Sequence, residues 1–190
     1  MIYVLSTSAN FPENYETRKT QYLEGLSSII EHYKINPYII ESYGTDYLGE
    51  HYVDTTRHSS NKGVNEFTQI ENFLKTIDHK LNDDDDIIKT TLRYKITSPI
   101  FLENVQQQSH DIYCKYATDI YGAGASLGTF LFSMKYRCWK MFFDRYNRNV
   151  DKEYPIENEF TNYAMAQNTK IVEKLGIIAL PYYHSGAYQV

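Results

Sequence analysis

The sequence predicts an α/β fold: one domain over residues 1–190, built on a mixed, mostly parallel sheet flanked by helices. Three observations predict it. Short β-branched and apolar runs alternate with longer segments of helical period, as in an open α/β sheet. The first run, Ile2-Tyr3-Val4-Leu5, gives way to a small polar loop, Ser6-Thr7-Ser8-Ala9-Asn10, ahead of a helical segment. In mid-chain, four acids at 83–86 lead into residues 87–94, whose β-branched density marks a buried or half-buried strand. That strand is expected at the centre of the sheet.

Composition fits this. Apolar residues make up 42% of the chain and charged residues 23%, so 190 residues can bury a sizeable core. The net charge of −5 argues against a general nucleic-acid binder. Nineteen tyrosines suit stacking on sugars or bases, yet Tyr enrichment with Asn, Ile and Lys also follows from AT-rich coding. The two cysteines, Cys114 and Cys138, make neither a disulfide framework nor a zinc site, and Cys138 beside Trp139 reads as a small core residue. No apolar run approaches the roughly 18 residues needed to span a bilayer, and no basic segment opens a signal peptide. A soluble protein of a reducing compartment is expected.

In order along the chain, residues 15–33 are helical by period, with Tyr22, Leu26, Ile29, Ile30 and Tyr33 on one buried face. Arg18 and Lys19 in its first turn oppose the helix dipole, which points either to an anion held near the preceding loop or to a surface salt bridge. Asn36-Pro37 marks a turn, and residues 38–42 form the second strand, delivering Glu41 to its carboxyl end. Phe67, Ile70, Phe73, Leu74 and Ile77 share one face of the next helix, which Asn61 or Asn65 can cap. Ser98-Pro99 starts a short helix, with Ser as cap and Pro at the first position. Residues 111–116 and 129–134 follow as strands, the second after a small-residue loop, 121–128. Trp139, Phe142, Phe143 and Tyr146 mark a further helix. A last helix, after Pro155, carries Phe160, Ala164, Ile171, Val172 and Leu175 to the core and ends at Gly176. Residues 177–181 are the final strand.

Several constellations can carry chemistry. The acid run contains Asp-x-Asp twice, a pair able to hold Mn2+ or Mg2+, but it precedes its strand and so opens on the amino edge of the sheet. There it reads as a solvated turn. Strand alternation puts Lys89, Thr91 and Arg93 on one face and Tyr94 on the other. An arginine fork and a lysine point charge suit a diphosphate, and a resident anion would explain cations in a central strand; an edge strand with both in water is the alternative. Glu157 and Glu159 occupy a helical first turn, where dipole complementarity and a general base are both satisfied. His184 is a loop histidine, a phosphate contact or a metal ligand.

Three patches carry a resemblance. They are residues 15–33 followed by Asn36-Pro37-Tyr38-Ile39-Ile40-Glu41, then Asn61-Lys62-Gly63-Val64-Asn65-Glu66, then Asp86-Ile87-Ile88-Lys89-Thr90-Thr91-Leu92-Arg93-Tyr94. Together they resemble glycosyltransferases of the GT-A fold, the nucleotide-sugar-dependent, Rossmann-like type of viral and bacterial surface-glycan clusters. Leu92 stands where that pattern has glycine. The resemblance implies that Ser6, Thr7 and Glu41 lie near the nucleotide, with Lys62 near phosphate or sugar. It implies that Glu157 or Glu159 serves as base, and that residues 128–134 carry acceptor-side contacts. Lys89 and Arg93 stand where such enzymes usually place the metal-binding Asp-x-Asp. No cofactor is therefore certain: Mn2+ or Mg2+ is either held, with His184 as a ligand, or replaced by the two cations.

The function expected is transfer of a sugar from a nucleoside-diphosphate donor to a hydroxyl on a glycan or glycoprotein. Its expected place is the cytoplasm, the host's if the chain is viral. A non-catalytic nucleotide- or carbohydrate-binding module, another α/β enzyme such as a nucleotidyltransferase or phosphatase, and a structural protein are the rivals.

Overall fold

The computed structural model describes residues 1–8, 15–42, 51–56, 59, 61–117, 126–146, 156–172, 174–179 and 188–189. Its principal sheet has seven strands. The first four in the chain are β1 (Ile2–Ser8), β2 (Tyr38–Glu41), β3 (His51–Val53) and β4 (Asp86–Thr91). With β6 (Ile112–Cys114), β9 (Leu131–Lys135) and β10 (Thr169–Ile171) they lie in the order β10-β6-β9-β4-β1-β2-β3. All pairings are parallel except those of β9, which runs antiparallel between β4 and β6. The expected class is the observed one, with β4 at the middle of the order.

Helices cover both faces. On one, α2 (Lys62–Ile77), α4 (Tyr136–Arg145) and α5 (Ile156–Ala164) close over Leu5, Ile40, Ile87, Phe132 and Met134. On the other, α1 (Tyr15–Tyr33) and α3 (Ile100–Gln107) cover Val4, Ile39, Ile88, Tyr113 and Leu131. Asn61 caps α2 through Oδ1, which accepts from Gly63 N at 3.0 Å and Val64 N at 3.3 Å. Cys138 is buried against the Trp139 cluster as expected, and burial pushes the Cys114 thiol up to about 12, so neither cysteine is an activated nucleophile. A second sheet joins β5 (Tyr94–Ile96), β11 (Ile177–Ala179) and β12 (Tyr188–Gln189), and β7 (Tyr116–Ala117) pairs with β8 (Ser126–Leu127). Among the described residues no helix is long and apolar enough to cross a membrane.

Among the departures of the structure from the sequence reading, four concern these elements. Ser6, Thr7 and Ser8 belong to β1, held by β2 and β4 on either side, and are not a loop. Ile30 is 40% exposed; α1 seats itself through small residues, Gly25 and Ser28, between its buried aromatic and aliphatic side chains. Pro99, rather than Ser98, occupies the cap position of α3, without a side-chain cap. The last long helix stops at Ala164, where Ala166 N and Gln167 N bond back three residues to Tyr163 O and Ala164 O and tighten the chain into a turn. The residues beyond it, Thr169–Ile171, become the edge strand β10.

The acid run lies on the amino edge, but as a cation-binding staple within the chain. Asp85 accepts from the Met1 amino group at 2.5 Å, and Asp86 meets Lys135 Nζ at 2.7 Å and His110 Nε2 at 3.1 Å. Asp83 pairs with Lys140 and Asp84 with Arg137. Burial works to raise Asp85 and Asp86; the Met1 ammonium and Asn82 in the first case, and His110 and Lys135 in the second, outweigh it, so both carboxyls sit below their usual range. Depressed folded values mean that the stabilisation is complete above the unfolded pKa of about 4 and is lost as pH falls through the folded values. Urea unfolding from pH 7 to pH 2 should show stability falling below about pH 4, and Asp86→Asn should cost about 2 kcal/mol at pH 7 and flatten that fall.

Candidate functional site on the carboxyl edge of the sheet

Because β1, β2 and β4 are parallel, their last residues share one edge. Alternation from Leu5 and Ile87 turns Thr7 and Lys89 toward the α2 and α5 layer. Alternation from Val4, Ile39 and Ile88 turns Ser6, Ser8, Glu41 and Thr90 toward α1. The antiparallel β9 starts at this same edge, so Thr129, just ahead of it, stands beside residues that end the parallel strands. Helix α5 starts here too. A Cβ at Gly63 would lie 2.4 Å from Ile156 Cγ2, and this close approach brings the first turn of α5 against that of α2.

On the α2 side a polar chain runs across the edge. Thr7 Oγ1 donates to Glu66 Oε1 at 2.5 Å, and Lys89 Nζ reaches the same oxygen at 2.9 Å. Lys89 Nζ also donates to Thr129 O at 2.7 Å, and Thr129 Oγ1 donates to Glu157 Oε1 at 3.2 Å. Lys89 is 2% exposed, so its charge is met inside the chain by Glu66 and a carbonyl. Burial works to raise the Glu66 carboxyl. The Lys89 ammonium, the Thr7 hydrogen bond and the Arg93 guanidinium together hold it below the usual range.

Arg93 does not continue the face of Lys89. The strand ends at Thr91, and Leu92 and Arg93 form the turn into β5, with Arg93 exposed. Leu92, at the position where glycine was expected, is fully buried and donates its N–H to Thr7 O at 3.2 Å. Tyr94 stacks on Phe130 with centroids 5.3 Å apart, forming a wall beside Thr129.

On the α1 side Ser8 Oγ donates to Glu41 Oε2 at 2.5 Å, and Ser42 N and Oγ each donate to Ser8 O at 2.9 Å. Ser6 Oγ and Thr90 Oγ1 are buried neighbours in the β1–β4 register and have no hydrogen-bond partner among the described residues. Arg18 is buried on α1, and Lys62 is the exposed first residue of α2.

Glu159 lies elsewhere, on the α4–α5 groove with Phe142, Arg145, Tyr146 and Asn162. There, burial first and Glu159 second push the Tyr146 hydroxyl up to about 12. His184 and residues 121–125 of the glycine loop lie outside the described residues. Among the described residues no three His, Cys, Asp or Glu side chains converge on a point where they could share a cation. The acid run does not fit a metal-bridged diphosphate either: it is on the opposite edge and each of its acids is engaged by a cation.

Sequence reasoning missed Glu66, Thr129 and Ser8 as members of this edge. For Glu66 a signal existed, since it shares the four- and three-residue spacing of Ile70, Phe73 and Ile77 and so sits on the apolar stripe of α2.

No protein-family model matches the sequence, and no curated protein matches it in sequence. Solved structures do match its fold. The nucleoside-diphosphate-sugar pyrophosphorylase of Vibrio cholerae superposes with a TM-score of 0.56 at 9% identity, over 95% of this chain and 96% of that one. A glycosyltransferase involved in glycosylation of the major capsid of PBCV-1 gives 0.55 at 10%, over 90% and 81%. The inositol-1-phosphate CTP transferase of T. maritima gives 0.55 at 10%, over 90% and 83%. The chain thus has the mixed α/β fold of nucleotidyltransferases and GT-A-like nucleotide-sugar transferases.

Proposed function

We propose that the protein is a glycosyltransferase that moves a sugar from a nucleoside-diphosphate donor to a hydroxyl of a glycan or glycoprotein. The observation that carries this reading is the hydrogen-bonded chain at the carboxyl edge, where Thr129 links the Lys89 ammonium to the Glu157 carboxylate. Carboxyl edges are where open α/β sheets bind ligands. In this reading Arg93, exposed at the rim, forks onto the diphosphate, and buried Lys89, its charge met by Glu66, holds Thr129 in place behind it. Glu157 takes the acceptor's hydroxyl proton as the new glycosidic bond forms, and the old sugar–phosphate bond breaks with its electrons leaving on the diphosphate. Ser6, Thr7, Arg18, Glu41 and Lys62 border the nucleotide, and Tyr94 supplies an aromatic face.

The test is a thermal-shift panel of UDP, GDP, CDP and ADP, each with Mn2+ and with EDTA. A bound nucleotide at 100 times its dissociation constant adds about 2.7 kcal/mol to stability. An equal shift in EDTA supports the Lys89 and Arg93 account, and a shift only with Mn2+ restores the metal. No shift with any nucleotide sinks the reading. With the donor identified, Glu157→Gln should lower turnover by at least about 100-fold, and Glu159→Gln by less than about threefold. Release of pyrophosphate from a nucleoside triphosphate and a sugar phosphate would instead make the protein a nucleotidyltransferase. Binding without turnover would make it a binding module.

A further inference from the structure

Glu66 uses only one of its two oxygens. Oε1 receives both Thr7 Oγ1 and Lys89 Nζ, while Oε2 accepts from no group among the described residues. The side chain is 26% exposed, so the open oxygen belongs to a carboxylate that is fixed on one side and reachable on the other. An ionised carboxylate is an acceptor only, with about four lone-pair sites, so it can take further donors.

The surroundings decide which donor. Lys89 at 2.9 Å and the nearby Arg93 guanidinium set a positive potential that disfavours a metal ion or a ligand amine. An ionised phosphate carries acceptors and no donor, so it has no hydrogen bond to give the open oxygen. The same cations hold Glu66 ionised and weakly basic, which makes it a poor proton acceptor in chemistry and a good hydrogen-bond acceptor. A neutral hydroxyl remains.

We propose that Glu66 Oε2 accepts a hydrogen bond from a hydroxyl of the bound ligand, on the nucleoside's ribose or on the sugar to be transferred, and thereby selects for a hydroxylated ligand. This inference rests on the transferase reading above. Thr7 and Lys89 act on it as positioning residues: they fix the carboxylate so that a ligand lacking the hydroxyl leaves a charged acceptor short of its partner.

The experiment is titration calorimetry on the full chain with the nucleotide selected by the thermal-shift panel. For uridine the pairs are UDP against 2′-deoxy-UDP, and UDP-glucose against its singly deoxygenated sugar analogues. One pair should differ by about 10- to 100-fold in wild type, the worth of a hydrogen bond to a charged group, and by less than about threefold in Glu66→Gln. The first pair identifies the ribose as the source of the hydroxyl, the second the sugar. If Glu66→Gln does not fold, because buried Lys89 has lost its counter-ion, the Glu66→Gln/Lys89→Met double variant replaces it, and only the ratio within each pair is compared. Wild type that binds nucleotide but discriminates in neither pair overturns the inference and leaves the transferase reading standing. So does a Glu66 variant that discriminates as wild type does. Wild type that binds no nucleotide overturns both.

Discussion

Gly25→Ala is expected to lower stability by about 3 kcal/mol, and Gly25→Val by more. A Cβ at position 25 would lie 2.1 Å from Leu92 O, 2.9 Å from Leu92 C and 3.2 Å from Leu92 Cα. These are backbone atoms of the turn that ends β4, so no rotamer change removes the clash. Two effects oppose each other in the alanine variant, since Ala in a helix interior is favoured over Gly by about 1 kcal/mol. At 2.1 Å the overlap wins. Relief would require α1 to move off the sheet, which would break the bond from Ile96 N to Ser28 Oγ at 2.9 Å and shift the Arg93 turn. Urea denaturation at pH 7 measures the difference, and an alanine variant as stable as wild type would mean that α1 is not seated on Leu92.

Glu66→Leu is expected to cost about 3–5 kcal/mol, the penalty for stranding a buried charge. Lys89→Met should cost less. The two partners differ in exposure, 2% for the lysine side chain and 26% for the glutamate, so an abandoned Glu66 finds water and an abandoned Lys89 does not. Removing both charges should recover much of the loss, because no buried charge is then left without a counter-ion, although the Thr7 hydroxyl and the Thr129 carbonyl each lose a partner. A double-mutant cycle by chemical denaturation measures the coupling. Strict additivity of the two single changes would show that the pair does not interact. The asymmetry between the single variants also separates an ion pair from simple packing, which would make the larger loss follow the larger side chain.

The fold was legible because its signals are local. The bounds of α1, the apolar stripe of α2 and the β-branched run of β4 follow from period and propensity over a few residues. Reading the strands as parallel then implied which strand ends share an edge, enough to single out Glu41 and Lys89 as edge residues; Thr7, which reads as loop, came to the edge only through the resemblance. Pairing was not legible. A buried Lys89 looked like evidence of a bound anion, whereas Glu66, 23 positions earlier on another element, meets it. The acids at 85 and 86 looked solvated, whereas their partners come from Met1, His110 and Lys135. Contacts between charges distant in sequence leave no periodic trace. The end of α5 was missed for a related reason: Ile171, Val172 and Leu175 continue a plausible helical spacing, and only the open edge of β6 makes a strand of Thr169–Ile171.

The antiparallel strand of the principal sheet, β9, has a consequence for how the molecule opens. Strands β6 and β10 are joined to the β4-β1-β2-β3 block only through β9 within the sheet. Loss of β9 therefore severs one sheet into two, while loss of β10 or β3 merely trims an edge. Amide exchange should follow that hierarchy, slowest in β1 and β4, with β6 and β10 exchanging together at a lower opening energy. The entrance to β9 is also where Thr129 ties Lys89 to Glu157, so the seam along which the sheet parts runs directly beneath the candidate site.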